Sequence, residues 1–169
     1  MMMRIEIQPE RAGDTPLIRQ ITEAAFKLNE HSIGTEGAII DALREAGALT
    51  LSLVALIDNE LVGHIAFSPV AIEGEDLHWF GLGPVAVRPD LHRKGIGSAL
   101  IREGLGRLKR AGANGCVLVG YPLYYRRFGF ENDPALRYEG VQAKYFMRLA
   151  FSGLVPTGRV SFHEGFGAH

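Results

Sequence analysis

One stretch limits the choice of fold more than any other. The run His78–Val87 is rich in β-formers, Arg88-Pro89-Asp90 ends it, a loop His92-Arg93-Lys94 follows, and Gly95–Ala111 carries apolar residues at helical spacing. Ile96, Leu100, Ile101, Leu105 and Leu108 fall on one side of that helix. A strand that hands over to an amphipathic helix must lay the helix on a sheet, and the elements on either side extend the pattern. Gly104 and Gly106 each cost the helix about 1 kcal/mol relative to alanine, so both are expected to mark close packing on the sheet.

Upstream, Arg4–Pro9 alternates as a first strand. Thr15 with Pro16 opens a helix over 16–28, with Leu17, Ile18, Ile21, Ala24, Ala25 and Leu28 at helical spacing. Thr35 opens a second helix whose Ile39, Ile40 and Leu43 share a face, and Gly47 suits the left-handed position after it. Leu49–Ile57 and Leu61–Val70 are joined by Asp58-Asn59 as a hairpin. Downstream come a buried strand Val117–Val119, a short aromatic helix Leu123–Phe128, and late strands Tyr145–Phe151 and Arg159–Phe162, with 131–143 read as loop. The order β–α–α–β–β–β–α–β–α–β–β implies a mixed α/β sheet. At 169 residues one domain, 1–169, is expected. Pro84 inside a strand points to a bulge or an opening between strands, because proline has no N–H for the ladder.

The formal charge of −1 conceals an uneven distribution. Residues 1–87 carry 5 basic and 13 acidic side chains (−8), residues 88–110 carry 7 and 2 (+5), and residues 111–169 carry 6 and 4 (+2). Nine of the 21 glycines lie between Gly81 and Gly120, beside the positive segment. Near-neutrality overall argues against a dedicated nucleic-acid binder. No apolar run approaches the ~20 residues that cross a bilayer, so no membrane partner and a cytoplasmic location are expected. The single cysteine, Cys116, has no local histidine partner and reads as a packed structural residue. The six histidines show no metal-ligand spacing, and no metal is expected.

In the 92–98 loop three properties coincide. Glycines at 95 and 97 let a phosphate approach bare backbone N–H groups, the helix N-terminus supplies partial positive charge, and Arg93 and Lys94 add full charges. Neither a P-loop nor a dinucleotide fingerprint fits, since no Gly-Lys-Ser/Thr follows at the required spacing and position 100 is leucine.

These residues resemble a known family. HRKGIGSA is similar to the Arg/Gln-x-x-Gly-x-Gly/Ala coenzyme A signature of the GNAT-superfamily N-acetyltransferases, and Tyr124-Tyr125-Arg126-Arg127-Phe128-Gly129-Phe130 resembles the superfamily's Tyr-x-x-x-Gly-Phe segment. The resemblance implies the acyl-CoA N-acyltransferase fold, a mixed and mostly antiparallel sheet splayed between strands 4 and 5 and flanked by helices. It implies an acetyl-CoA-dependent N-acetyltransferase that moves an acetyl group to a primary amine, small-molecule or protein, by direct attack in a ternary complex. Cofactor contacts are expected along Val85, Ala86 and Val87, with backbone of Val85 and Val87 bonding the pantetheine arm. His92, Arg93, Lys94, Gly95, Ile96, Gly97 and Ser98 are expected around the diphosphate; His92 stands where the family usually has Gln or Arg. Tyr125 matches the tyrosine that meets the departing thiolate, with Tyr124 and Tyr121 as rivals. For the base that deprotonates the amine, Glu30 and His78 rank ahead of His31 and Glu36, because their segments line the acceptor side in the family. The acidic front half favours a cationic acceptor, and a homodimer is compatible with the family. The competing readings are a non-catalytic acyl-CoA sensor and a nucleic-acid-binding regulator.

Overall fold

The computed structural model describes residues 4–29 and 32–169. The chain forms two compact units, and both β3 and β4 run from one into the other. The first unit comprises Met1–Phe67, Gly83–Gly104 and Glu164–His169, and the second Ser68–Leu82 and Leu105–His163.

The first unit is built on the hairpin of β2 (Leu51–Ile57) and β3 (Glu60–Ile72). Asp58 and Asn59 both have positive φ, 51° and 63°, so the connection is of the type whose twist matches that of antiparallel strands. β1 (Glu6–Pro9) adds antiparallel to β2 on its other side. Helix α1 (Thr15–Lys27) has Pro16 in its first turn, with Asp14 rather than Thr15 in the N-cap position. Its buried face is Ile18, Ile21 and Thr22, while Leu17 and Leu28 are exposed and Ala24 also faces solvent. The expected stripe is therefore rotated: the helix packs on its 18/21/22/25 side, and Leu17, Ala24 and Leu28 sit beyond the edge that the sheet covers. Helix α2 (Glu36–Glu45) buries Ile39, Ile40 and Leu43 as expected, and Gly47 takes φ 68° just past its end. Thr35 occupies its N-cap position without a side-chain capping bond.

Ile18, Ile21, Ile40, Val54, Leu56, Leu61 and Ala86 form the core under α1 and α2. Helix α3 (Ile96–Arg110) covers the other face of the hairpin. There a Cβ on Gly63 would lie 3.1 Å from Leu100 Cδ1, and one on Gly104 would lie 2.4 Å from the Phe67 ring. All five apolar positions expected to face inward on this helix are buried. Gly106 departs from expectation: its nearest neighbour is the Arg110 guanidinium of its own helix, 3.2 Å away, and it makes no close approach to the sheet.

In the second unit the start of β4 (Trp79–Val87) runs parallel to β5 (Gly115–Val119) over three pairs, Trp79–Gly115 to Gly81–Val117. β5 continues to pair antiparallel with β7 (Phe146–Ala150) as far as Val119–Phe146. Helix α4 (Pro122–Tyr125) and a 3-10 turn (Arg126–Phe128) lie between β5 and β7. β8 (Gly158–Phe162) pairs antiparallel with Val70–Ile72 of β3. A two-residue strand, β6 (Leu136–Arg137), pairs with β8 inside the segment read from sequence as loop. Two residues are too few to show an alternation, so this strand exists only through its partner. Trp79, buried with Val70, Val117, Leu136 and Val160, lies flat against Gly115, where a Cβ would come within 2.4 Å of the indole. The sheet is thus mixed and mostly antiparallel, with β4–β5 and the short β6–β8 as parallel pairs within this unit. Among the described residues no helix is long and apolar enough to cross a membrane.

Candidate active site

The loop expected to meet the diphosphate lies in the first unit. At the end of β4 the Arg88 N–H donates to the Val62 carbonyl of β3 at 2.8 Å. Backbone groups alternate in direction along a strand, so those of Val87 and Val85 face the opposite edge. The N–H of Val87 and both groups of Val85 are thereby aimed away from β3. The Val87 carbonyl is already taken, because His92 Nε2 lies 2.8 Å from it. Of the backbone expected to bond a pantetheine arm, this one acceptor is therefore withdrawn by a side chain that sequence placed at the phosphates. Ala86 contributes its methyl to the core and turns its side chain away from that edge.

Beyond β4 the 3-10 turn Pro89–Leu91 closes with Leu91 N–H on the Arg88 carbonyl at 2.9 Å. Arg88 is drawn back by Asp90 (2.7 Å) and Glu60 (3.0 Å), which leaves Arg93 and Lys94 as the exposed cations of the loop. Arg93 and Gly95 both have positive φ, 64° and 85°, a backbone course that turns successive N–H groups toward one side. Gly95 has nothing within 4 Å of a would-be Cβ, so glycine is required there by conformation and not by room. Ala99 N–H makes the first α3 bond, to the Gly95 carbonyl. The N–H groups of Ile96, Gly97 and Ser98 precede it and have no intrahelical acceptor. The first turn carries no acidic side chain, and Ile96, 1% exposed, fastens it to the core. An open, positively biased row of backbone donors on an anchored turn fits a diphosphate.

Tyr125 lies in the second unit. Its N–H bonds the Tyr121 carbonyl at 3.1 Å, and its ring stands edge-on to Tyr124 (5.0 Å between centroids) and Phe130 (6.1 Å), tilted against Phe128. Gly120 makes room for it, since a Cβ there would lie 2.4 Å from Tyr125 Cε2. Burial, with smaller contributions from Tyr124 and Cys116, pushes the phenol up to about 12. The hydroxyl therefore stays protonated at any physiological pH and acts as a donor. Tyr121 is 55% exposed and leans on Tyr145, and Tyr124 carries the Arg127 guanidinium over its ring at 4.6 Å. Tyr124 and Tyr125 are both half-buried, and it is the Tyr125 ring that packs at Gly120 and against Phe130. Cys116 is fully buried, and burial pushes its thiol far above the usual range, which makes it a poor nucleophile.

The candidate bases are dispersed. Glu30 and His31 lie outside the described residues. Glu36 is half-buried and accepts a 2.6 Å hydrogen bond from Ser32. His78 is exposed, with its N–H on Asp76 and its carbonyl bonded to the Asn114 N–H just before β5. Tyr125 packs at Gly120, just after β5. At about 3.3 Å per residue those two ends are ~20 Å apart, so the structure does not bring His78 and Tyr125 together.

A buried polar array escaped the sequence reading. Ser52 Oγ donates to Glu10 and lies 2.7 Å from Nε2 of His64, which is 0% exposed. Arg44 grips Glu10 at 2.9 and 3.1 Å and also reaches Asp41 at 3.2 Å. A cavity of about 330 Å³ opens at Glu10, Arg44 and Ser52. Burial pushes His64 down to about 4, so the ring is neutral. Because the serine proton goes to the carboxylate, donor counting places the imidazole proton on Nε2. Nδ1 is then a buried lone pair, with no hydrogen-bond partner among the described residues. The only sequence trace of this array is a polar residue interrupting each of two apolar strands.

A family model described as an acetyltransferase (GNAT) domain matches residues 6–132. YhbS of Escherichia coli K12, named as an uncharacterized N-acetyltransferase, is 37% identical over 173 residues, covering 98% of each chain. Among solved structures, a GNAT family acetyltransferase from Brucella melitensis in complex with acetyl-CoA is 51% identical, with a TM-score of 0.87 over 96% of this chain and 98% of that one. The Escherichia coli YhbS structure in complex with CoA is 35% identical, also at 0.87, over 99% and 94%.

Proposed function

The chain belongs to the GNAT acetyltransferases, and from that premise we propose that it transfers an acetyl group from acetyl-CoA to a primary amine by direct attack in a ternary complex, the whole of 1–169 acting as one catalytic domain. The observation that carries the reading is the row of unpaired donors from Ile96 to Ser98 behind the left-handed turn at Arg93 and Gly95. Acetyl-CoA supplies the activated thioester. The N–H groups of Ile96, Gly97 and Ser98 hold its diphosphate, with Arg93 and Lys94 adding charge. The free edge of β4 at Val85 and the N–H of Val87 provides backbone hydrogen bonds for the extended arm and a donor for the acyl oxygen.

Tyr125 donates to the sulfur as it departs. A phenol near 12 against a thiol near the ordinary value of about 8.5 makes complete proton transfer to a free thiolate uphill by ~5 kcal/mol. The group therefore stabilises the developing charge as a hydrogen-bond donor. Glu30 is assigned to take the amine's proton, an assignment that rests on the family resemblance. His78 receives no role, since it stands at the other end of β5 from Tyr125. The acidic balance of residues 1–87 favours an acceptor with further positive charge.

Titration calorimetry with acetyl-CoA, followed by thiol-release assays over a panel of amines, tests the reading. Binding at tens of micromolar or tighter and turnover of at least one amine are expected. The absence of binding refutes the cofactor assignment, and binding without turnover across the panel refutes the activity.

A further inference from the structure

We propose that His92 is a positioning residue for the diphosphate loop, acting on the Val87 carbonyl and not on the phosphates. The inference rests on the acetyl-CoA reading for its consequence but on geometry for its content. The Val87 carbonyl points to the edge of β4 away from β3, because the neighbouring Arg88 N–H is the group that bonds Val62. The sheet therefore offers that carbonyl no partner on the β3 side, and the His92 ring nitrogen supplies one at 2.8 Å. A carbonyl only accepts, so Nε2 carries a proton whether the imidazole is neutral or charged. Donation to Val87 is accordingly insensitive to the ring's protonation, as a fixed clamp requires.

The clamp is placed where the backbone needs one. Between Arg88 and Ala99 the main chain is held by Leu91 N–H on Arg88 and by a longer 3.3 Å bond from His92 N–H to Pro89. The next residue, Arg93, adopts φ 64°, a conformation L-residues avoid and that persists only when its surroundings enforce it. The His92 side chain ties the residue just before that turn back onto the end of β4, across five positions of chain. The Arg88–Asp90 ion pair rigidifies the near side of the same turn but ends two residues short of His92. The donor row that follows is thus held from both sides, by the imidazole–carbonyl bond before the turn and by Ile96 in the core after it.

A phosphate-contacting role and a positioning role are separated by measuring the loop without ligand, where no phosphate is present. Glutamine can donate to Val87 as histidine does and so is expected to restore the clamp. His92→Ala is expected to weaken acetyl-CoA binding and raise its KM about five- to tenfold, with kcat within twofold and an unchanged melting temperature. His92→Gln restores the wild-type KM. Amide hydrogen exchange without ligand supplies the arm that does not depend on the cofactor: residues 93–98 exchange several-fold faster in His92→Ala and return to wild-type rates in His92→Gln. Unchanged exchange at 93–98 overturns the proposal, as does a KM defect that glutamine fails to repair. If the wild type does not bind acetyl-CoA, the functional reading fails, and the exchange comparison still decides whether His92 holds the loop.

Discussion

His64 gives the chain a specific weakness to acid. Its imidazole is pushed by burial from 6.5 to about 4, so in the folded state it stays neutral while the same residue in the unfolded chain is protonated. The unfolded state therefore binds more protons between those values, and stability falls as pH drops through the window from 6.5 to about 4. At 1.36 kcal/mol per unit the whole window amounts to about 3 kcal/mol, and the part already lost at pH 5 is about 2 kcal/mol. pH 5 lies above the ordinary value of 4.5 for Glu10, whose carboxylate Arg44 and Ser52 hold lower still, so that group stays ionised. The perturbation is His64→Leu, which removes the titrating group and its unpartnered Nδ1 together. Urea unfolding at pH 7.5 and 5.0 reads the effect: with a slope of ~1–3 kcal/mol/M, the wild-type midpoint falls by roughly 0.7–2 M more than that of the variant. Equal losses in the two proteins would refute the argument that a neutral, desolvated imidazole sits behind Ser52.

Further outcomes follow from single contacts. Gly104→Ala drives a methyl against the Phe67 ring and is expected to destabilise by about 1–3 kcal/mol, whereas Gly106→Ala meets only the end of the long Arg110 side chain and stabilises by up to ~1 kcal/mol, both measurable by thermal unfolding. Tyr125→Phe removes a donor to a developing charge, worth ~1.5–3 kcal/mol, so kcat falls roughly 10- to 100-fold while acetyl-CoA affinity holds. An unchanged kcat removes Tyr125 from the chemistry. Diamines and polyamines are expected to turn over faster than neutral-tailed amines of equal length, with the preference shrinking at high salt; salt-independent, equal rates count against a cationic acceptor.

Much of the candidate site is local in sequence and was legible for that reason. Arg93 to Ser98 are consecutive, and a glycine loop at a helix start dictates unpaired N–H groups whatever surrounds it. The aromatic run around Tyr125 was equally visible, although only its fit against Gly120 and Phe130 separates it from Tyr121 and Tyr124. Sequence groups His92 with its neighbours as a phosphate residue, because no pattern in sequence says that an imidazole turns back five positions to a carbonyl. Leu17, Ala24 and Leu28 satisfied helical spacing yet face outward, since periodicity gives the width of an apolar stripe but not which part of it the sheet covers.

The sequence by itself determined the elements other than β6 and their order, the hairpin turn at Asp58-Asn59, the donor row and the family, all of which depend on residues within a few positions of one another. Tertiary structure alone decided the Glu10–Ser52–His64 array, whose members stand 42 and 12 residues apart. It also decided the two-residue strand β6, the different fates of Gly104 and Gly106, and the distance of His78 from Tyr125. These depend on which strands lie side by side and which faces meet. Hydrogen bonding and packing act across a few ångströms of space, and folding alone fixes which distant residues come that close.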